Sequence, residues 1–193
     1  MRRLMLLLTA MVAALVVASG VALAVTKVGG PGDDVLRGTN QPDRLDGKAG
    51  DDVLLGRGGS DSGGEHGLIG GEGDDVIHGG PGNDGLIGTK RLGSRDAGED
   101  KIFGGEGRDQ MDGGRGEDFL SGGDGPDTIF AAGFSGRPDG TDVVSGGEGD
   151  DLIIVASRPA GRDIVDCGAG RDVVFSDDKD VLSGCERTRQ LPG

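Results

Sequence analysis

Residues 104–130 read GGEGRDQMD, GGRGEDFLS, GGDGPDTIF: three nonapeptides in one register with nothing between them. Each carries Gly-Gly-x-Gly-x-Asp followed by a triplet whose middle residue is apolar (Met111, Leu120, Ile129). A short fixed period restricts a chain more than any local propensity does, because every copy must adopt the same fold and stack on its neighbours.

The period runs through most of the chain. Copies begin at Gly29, Gly38 (degenerate, keeping Asp43 and Leu45), Gly47, Gly70 and Gly79, and again at Gly146 and Cys167. Weaker copies occupy 95–103, 137–145 and 158–166, with insertions at 88–94 and 131–136. Between Gly56 and Ile69 the register slips by five residues: Asp61 fits one frame, His66 and Leu68 the next. His66 then stands where an aspartate is expected, which puts any site in 56–69 in doubt. A last Asp180-Val181-Leu182 arrives one residue early and lacks the glycine turn.

The eighth position is apolar in every unit, whereas the seventh is mixed (Arg44, Lys101, Gln110, Phe119, Thr128). That contrast predicts strands, with the eighth side chain inward and its neighbours outward. The triplets are too short for helices, and 43 glycines in 193 residues exclude them. With no Trp or Tyr and five Phe, the core is expected to be a thin aliphatic spine.

The first residues follow a different rule. Arg2 and Arg3 precede an apolar run over Leu4–Ala18 and the small-residue triplet Ala22-Leu23-Ala24. This order predicts a secretory signal peptide over 1–24, cleaved after Ala24. The alternative is a retained anchor, since 4–25 is just long enough to span a bilayer. Residues 1–24 hold two arginines and no acid, so their loss moves the formal charge from −14 to −16. Such a chain repels nucleic acid and anionic membrane and attracts cations. Acidity that only kept the protein soluble would be scattered, and here it recurs at the sixth position of the unit.

On these residues the units resemble the RTX, or hemolysin-type, calcium-binding nonapeptide G-G-x-G-x-D-x-U-x, over nearly all of 29–183. The resemblance implies an all-β, right-handed parallel β-roll, in which two nonapeptides make one 18-residue coil. Calcium ions would lie between turns on the same side, so that each unit pairs with the second one after it. Residue chemistry agrees: glycines let carbonyls converge, the carboxylates add hard anionic oxygens, and calcium takes six to eight oxygen ligands. Two His and two Cys do not make a nitrogen or sulfur set for a transition metal, and magnesium prefers partly hydrated octahedral sites.

The expected calcium ligands are Asp34, Asp52, Asp75, Asp84, Asp100, Asp109, Asp118, Asp127, Asp142, Asp151, Asp163 and Asp172. The expected pairs are Asp34 with Asp52, Asp84 with Asp109, Asp100 with Asp118, Asp109 with Asp127, Asp118 with Asp142, Asp127 with Asp151 and Asp151 with Asp172. The later ones hold only if the insertions loop out without breaking register. About eight Ca2+ would balance the charge. One inward aliphatic per strand does not offset ordering at ~1–2 kcal/mol per residue, so the chain is expected to be expanded without calcium and to fold on binding it. Cys167 and Cys185 are 18 residues apart; one coil brings stacked residues within about 4.8 Å, which allows a disulfide that pins the last coil.

Three segments follow: a signal peptide (1–24), the roll (25–183) and a C-terminal cap and tail (184–193). Neighbouring acids such as Asp33-Asp34, Asp74-Asp75 and Asp150-Asp151 suggest acid–base catalysis on sugars, but a catalytic pair is singular and these recur. No phosphate loop, EF-hand loop or Ser-His-Asp set is present, and the threonines form no ladder suited to ice. The expectation is a secreted, non-enzymatic calcium-binding module acting outside the cell, with a cell-surface or glycan partner as its target. The alternative is an extracellular polysaccharide-binding or polysaccharide-modifying protein of lyase or epimerase type. It is weakened because no accompanying sugar-modifying domain is seen.

Overall fold

The computed structural model describes residues 23–62, 67–89, 98–131, 140–156 and 161–190. The leader reading for 1–22, the imidazole of His66 and most of both insertions lie outside them. Among the described residues every regular element is a strand. β1 (Thr26–Val28), β3 (Arg44–Ala49), β5 (Leu68–Glu72), β7 (Gly85–Thr89), β9 (Gln110–Asp112), β11 (Thr128–Phe130), β13 (Leu152–Ile154), β15 (Val173–Ser176) and β17 (Arg187–Gln190) form one sheet in that order. β2 (Val35–Arg37), β4 (Val53–Leu55), β6 (Val76–Pro81), β8 (Lys101–Glu106), β10 (Phe119–Asp124), β12 (Val143–Glu148), β14 (Ile164–Ala169) and β16 (Val181–Ser183) form the other. All pairings are parallel, between a strand and the second one after it. The chain therefore alternates between two facing sheets: a β-solenoid, as two units per coil require.

The eighth position sets this arrangement. Leu120 pairs in register with Ile102 and Val144, and Ile129 with Met111 and Ile153. From Leu45 to Val174 these side chains are fully buried and form one continuous cluster between the sheets, with Leu36 and Leu182 half-buried at its ends. A strand's alternation sends the seventh and ninth residues outward. On the outer face of the eight-stranded sheet, His78 stacks on Phe103 (4.6 Å between ring centroids), and Phe103 meets Phe119 at 5.6 Å. His78 is exposed at the end of its triplet and also packed against a ring.

The insertions do not disturb the register. Lys101 follows Val76 by 25 residues and Val143 follows Phe119 by 24, yet both pairs are in line. The slipped region resolves in favour of Asp61. Gly56, Arg57, Gly58, Gly59, Ser60 and Asp61 form the turn, and Leu68 then joins the core. The sequence hides this turn because Arg57 holds the second glycine's place at φ 82°, as Lys48 does at φ 91° in the copy before.

At the far end the nine-stranded sheet runs past Ser183. β17 pairs with β15 inside the segment read as cap. Its four exposed residues include two arginines, a polar cover for a strand edge that would otherwise invite pairing with another chain. Cys167 and Cys185 are joined by a disulfide with Cα atoms 5.1 Å apart. The buried Cys167 thus ties the last turn to the core.

Candidate metal centre

Each turn between strands takes its shape from glycines. In the unit starting at Gly104, Gly105 (φ 120°) and Gly107 (φ 134°) lie where L side chains are strained. Cβ atoms there would also strike the carbonyls of Gly80 and Gly82 one coil below. The turns consequently stack backbone on backbone, and they carry their sixth-position aspartates into two columns, one along each edge of the solenoid.

The columns are continuous. In the first, the Asp34 N–H donates to Asp52 Oδ1 (2.7 Å), Asp52 to Asp75 (2.8 Å), Asp75 to Asp100 (2.9 Å) and Asp100 to Asp118 (2.9 Å). Asp118, Asp142, Asp163 and Asp180 continue it. In the second, the Asp43 N–H donates to Asp61 (2.8 Å), and Asp61, Asp84, Asp109, Asp127, Asp151 and Asp172 follow in the same way. All seven expected pairs are brought together, and every expected ligand is buried except Asp34, which is half-buried.

One carboxylate oxygen is thereby used, and the other is not. Oδ2 of Asp52, Asp61, Asp75, Asp84, Asp109, Asp127, Asp151 and Asp172 is buried without a hydrogen-bond partner. For Asp52, Asp61, Asp84, Asp109, Asp127 and Asp151 it faces the first glycine of its own unit, where the carbonyl of the next coil's first residue also points. A Cβ on Gly79 would stand 2.5 Å from Asp84 Oδ2 and 2.6 Å from the Gly104 carbonyl oxygen; one on Gly56 would meet Asp61 Oδ2 and the Gly79 carbonyl in the same way. Carboxylate and carbonyl oxygens thus face a shared space into which no donor of the described residues reaches.

The electrostatics follow from this burial. Desolvation pushes the Asp75 carboxyl up to about 8, Asp127 to about 7, and Asp61, Asp84 and Asp109 to about 6. The N–H from the preceding coil pulls each back, and neighbouring carboxylates of the column raise Asp61, Asp75, Asp84 and Asp127 further. Asp52, Asp151 and Asp172 are raised for the same first reason. Buried anions stacked one coil apart destabilise the fold unless cations pair with them. The donor set is hard oxygen alone, which fits calcium. Among the described residues no three His, Cys, Asp or Glu side chains converge on one point. Main-chain carbonyls must therefore complete any coordination shell.

The fifth position behaves differently. Asp33, Asp51 and Asp74 point outward, and their Oδ1 atoms accept the N–H groups of Asp51, Asp74 and Glu99 at 2.8–3.0 Å. The neighbouring acids that suggested a catalytic pair are therefore parted, one outside and one inside.

Sequence reasoning missed Asp43 and Asp61 as column members, along with the end groups Asp180 and Glu186. Asp61 lies 18 residues after Asp43 and 23 before Asp84, so counting coils instead of consecutive units would have found it. Glu186 gave no periodic signal; its Oε2 takes the Asp172 N–H at 2.9 Å where a further aspartate would stand.

Comparison with known proteins agrees with this geometry. Four matches to the model of the RTX calcium-binding nonapeptide repeat cover residues 28–62, 68–89, 96–131 and 139–155. No curated protein and no solved structure matches.

Proposed function

Since this chain belongs to the RTX calcium-binding nonapeptide-repeat family, we propose that it is a secreted module that folds on binding calcium and acts as a structural or interaction element outside the cell. It is a calcium-binding repeat protein, and the assignment of individual ligands rests on the two columns. Asp34, Asp52, Asp75, Asp100, Asp118, Asp142 and Asp163 serve one edge. Asp84, Asp109, Asp127, Asp151 and Asp172 serve the other, with Asp61 added. One observation carries this reading: the row of buried, unpartnered Oδ2 atoms, those of Asp52, Asp61, Asp84, Asp109, Asp127 and Asp151 beside a carbonyl of the next coil. Calcium between coils supplies positive charge where the protein has only acceptors. The chain's own part is to hold each carboxylate by its Oδ1 and to converge the carbonyls through its glycine turns.

Folding coupled to binding follows from the energetics. The core is two facing rows of apolar side chains, one residue per strand, and the columns repel while they are ionised and unpaired. The segments are a leader over 1–24, the roll over 25–183 and a cap over 184–193. No role for the recurring acids requires catalysis. Circular dichroism in chelator and in millimolar calcium tests the coupling, and calorimetry counts the ions, expected at about eight. Superimposable spectra in the two conditions would refute it. A glycan array probed in calcium tests for a sugar partner.

A further inference from the structure

We infer that the α-amino group of Val25, freed by cleavage after Ala24, is the built-in cation that caps the second aspartate column; this rests on the leader reading. In that column each aspartate Oδ1 accepts the N–H of the sixth-position residue one coil below. Asp43 is the first member and has no aspartate beneath it. The Val25 nitrogen takes that place, donating to Asp43 Oδ1 at 2.5 Å across 18 residues, the same separation as Asp43 to Asp61. Val25 is also held by its carbonyl, which accepts the Arg44 N–H at 2.8 Å. Thr26, the next residue, opens β1 and pairs with Arg44. The bond preceding Val25 is thus where leader ends and coil begins, and Leu23 and Ala24 on its other side are exposed.

Asp43 differs from the column members above it. Its Oδ2 accepts the Thr39 N–H at 2.5 Å and the Thr39 hydroxyl at 3.1 Å, so it offers no vacant oxygen as Asp61 and Asp84 do. Yet it is 5% exposed, and the donors that meet it are two amides and a hydroxyl, all neutral. Hydrolysis of the Ala24–Val25 peptide by a leader peptidase adds one water. The C–N bond breaks, Ala24 leaves with a carboxylate, and the Val25 nitrogen becomes an ammonium at neutral pH. A neutral amide at 2.5 Å from a buried carboxylate is converted into a charge-assisted donor without having to move. The first coil is then locked by processing: one end of the column carries a protein cation where the interior has a neutral backbone N–H, and Glu186 closes the other end.

The test uses the mature chain 25–193 with a free α-amine, the same chain with that amine acetylated, and a chain retaining Ala24. Each is made with Asp43 and with Asp43→Asn. Hydrogen exchange of residues 25–37 is followed in saturating calcium. Acetylation or the extra alanine should raise the opening constant of this coil by roughly tenfold, and Asp43→Asn should abolish the difference. Equal protection with free and blocked amine, or an effect that survives Asp43→Asn, overturns the proposal at the contact itself. The mass of the product exported from the full chain examines the premise separately. A start at Val25 supports it, and any other start overturns it regardless of the exchange result.

Discussion

Asp84→Asn should move the protein in opposite directions with and without calcium. Asp84 is 2% exposed, its Oδ1 accepts the Asp61 N–H at 2.8 Å, and its Oδ2 has no partner. Burial raises its carboxyl from the ordinary 3.8 to about 6. At 1.36 kcal/mol per tenfold change in proton affinity, keeping it ionised at neutral pH costs the calcium-free fold about 3 kcal/mol. Asparagine keeps the acceptor for Asp61 and turns an NH2 toward the space that the Gly104 carbonyl faces. The calcium-free folded state should therefore gain up to ~3 kcal/mol. In calcium the same change removes one anionic ligand, and affinity for the ions nearest it should fall by about tenfold, because charge count tunes such sites. The assay is urea unfolding by circular dichroism, in chelator with trimethylamine oxide to populate the fold and in calcium. Asp84→Ala, which also strips the acceptor from the Asp61 N–H at a cost of ~1–3 kcal/mol, should be less stable than Asp84→Asn in chelator and should lose calcium affinity as well. If Asp84→Asn lowers stability in chelator, or leaves the calcium dependence unchanged, the unpartnered oxygen is not a calcium ligand.

Acidification should act on the two states oppositely. The folded-state values of Asp75, Asp127, Asp61, Asp84 and Asp109 lie above their unfolded one, so calcium-free folding takes up protons. Its stability is present at the acid end and is lost as pH rises through about 6 to 8. Strand content in chelator should accordingly be higher at pH ~4.5 than at pH ~8. Calcium affinity should instead weaken as pH falls through the same window, with protons released on binding, which titration in two buffers of different ionisation enthalpy measures. Leu120→Ala, at a fully buried position between Ile102 and Val144, should cost ~2–5 kcal/mol in calcium-loaded unfolding; a loss under ~1 would mean that the spine contributes little. Replacing both Cys167 and Cys185 by serine should lower stability by about 3 kcal/mol and loosen β16 and β17 first, as hydrogen exchange would show.

What the sequence alone determined was the part that repeats. Period nine, an apolar eighth residue and a sixth-position aspartate sufficed for short strands and an aliphatic spine, and the family resemblance those units carry implied parallel 18-residue coils and the pairing of carboxylates such as Asp109 with Asp127. Each of these depends on residues within one unit and its copies. Adjacency between coils, however, is a property of space: an insertion lengthens the chain between Asp75 and Asp100 to 25 residues without moving one turn off the other. Only the tertiary structure therefore decided that Asp61 belongs to the second column, since Arg57 at positive φ disguises its turn. Only it showed that the second column ends on the Val25 nitrogen and on Glu186, where periodicity has run out and whichever donor or acceptor the fold brings within reach completes the ladder.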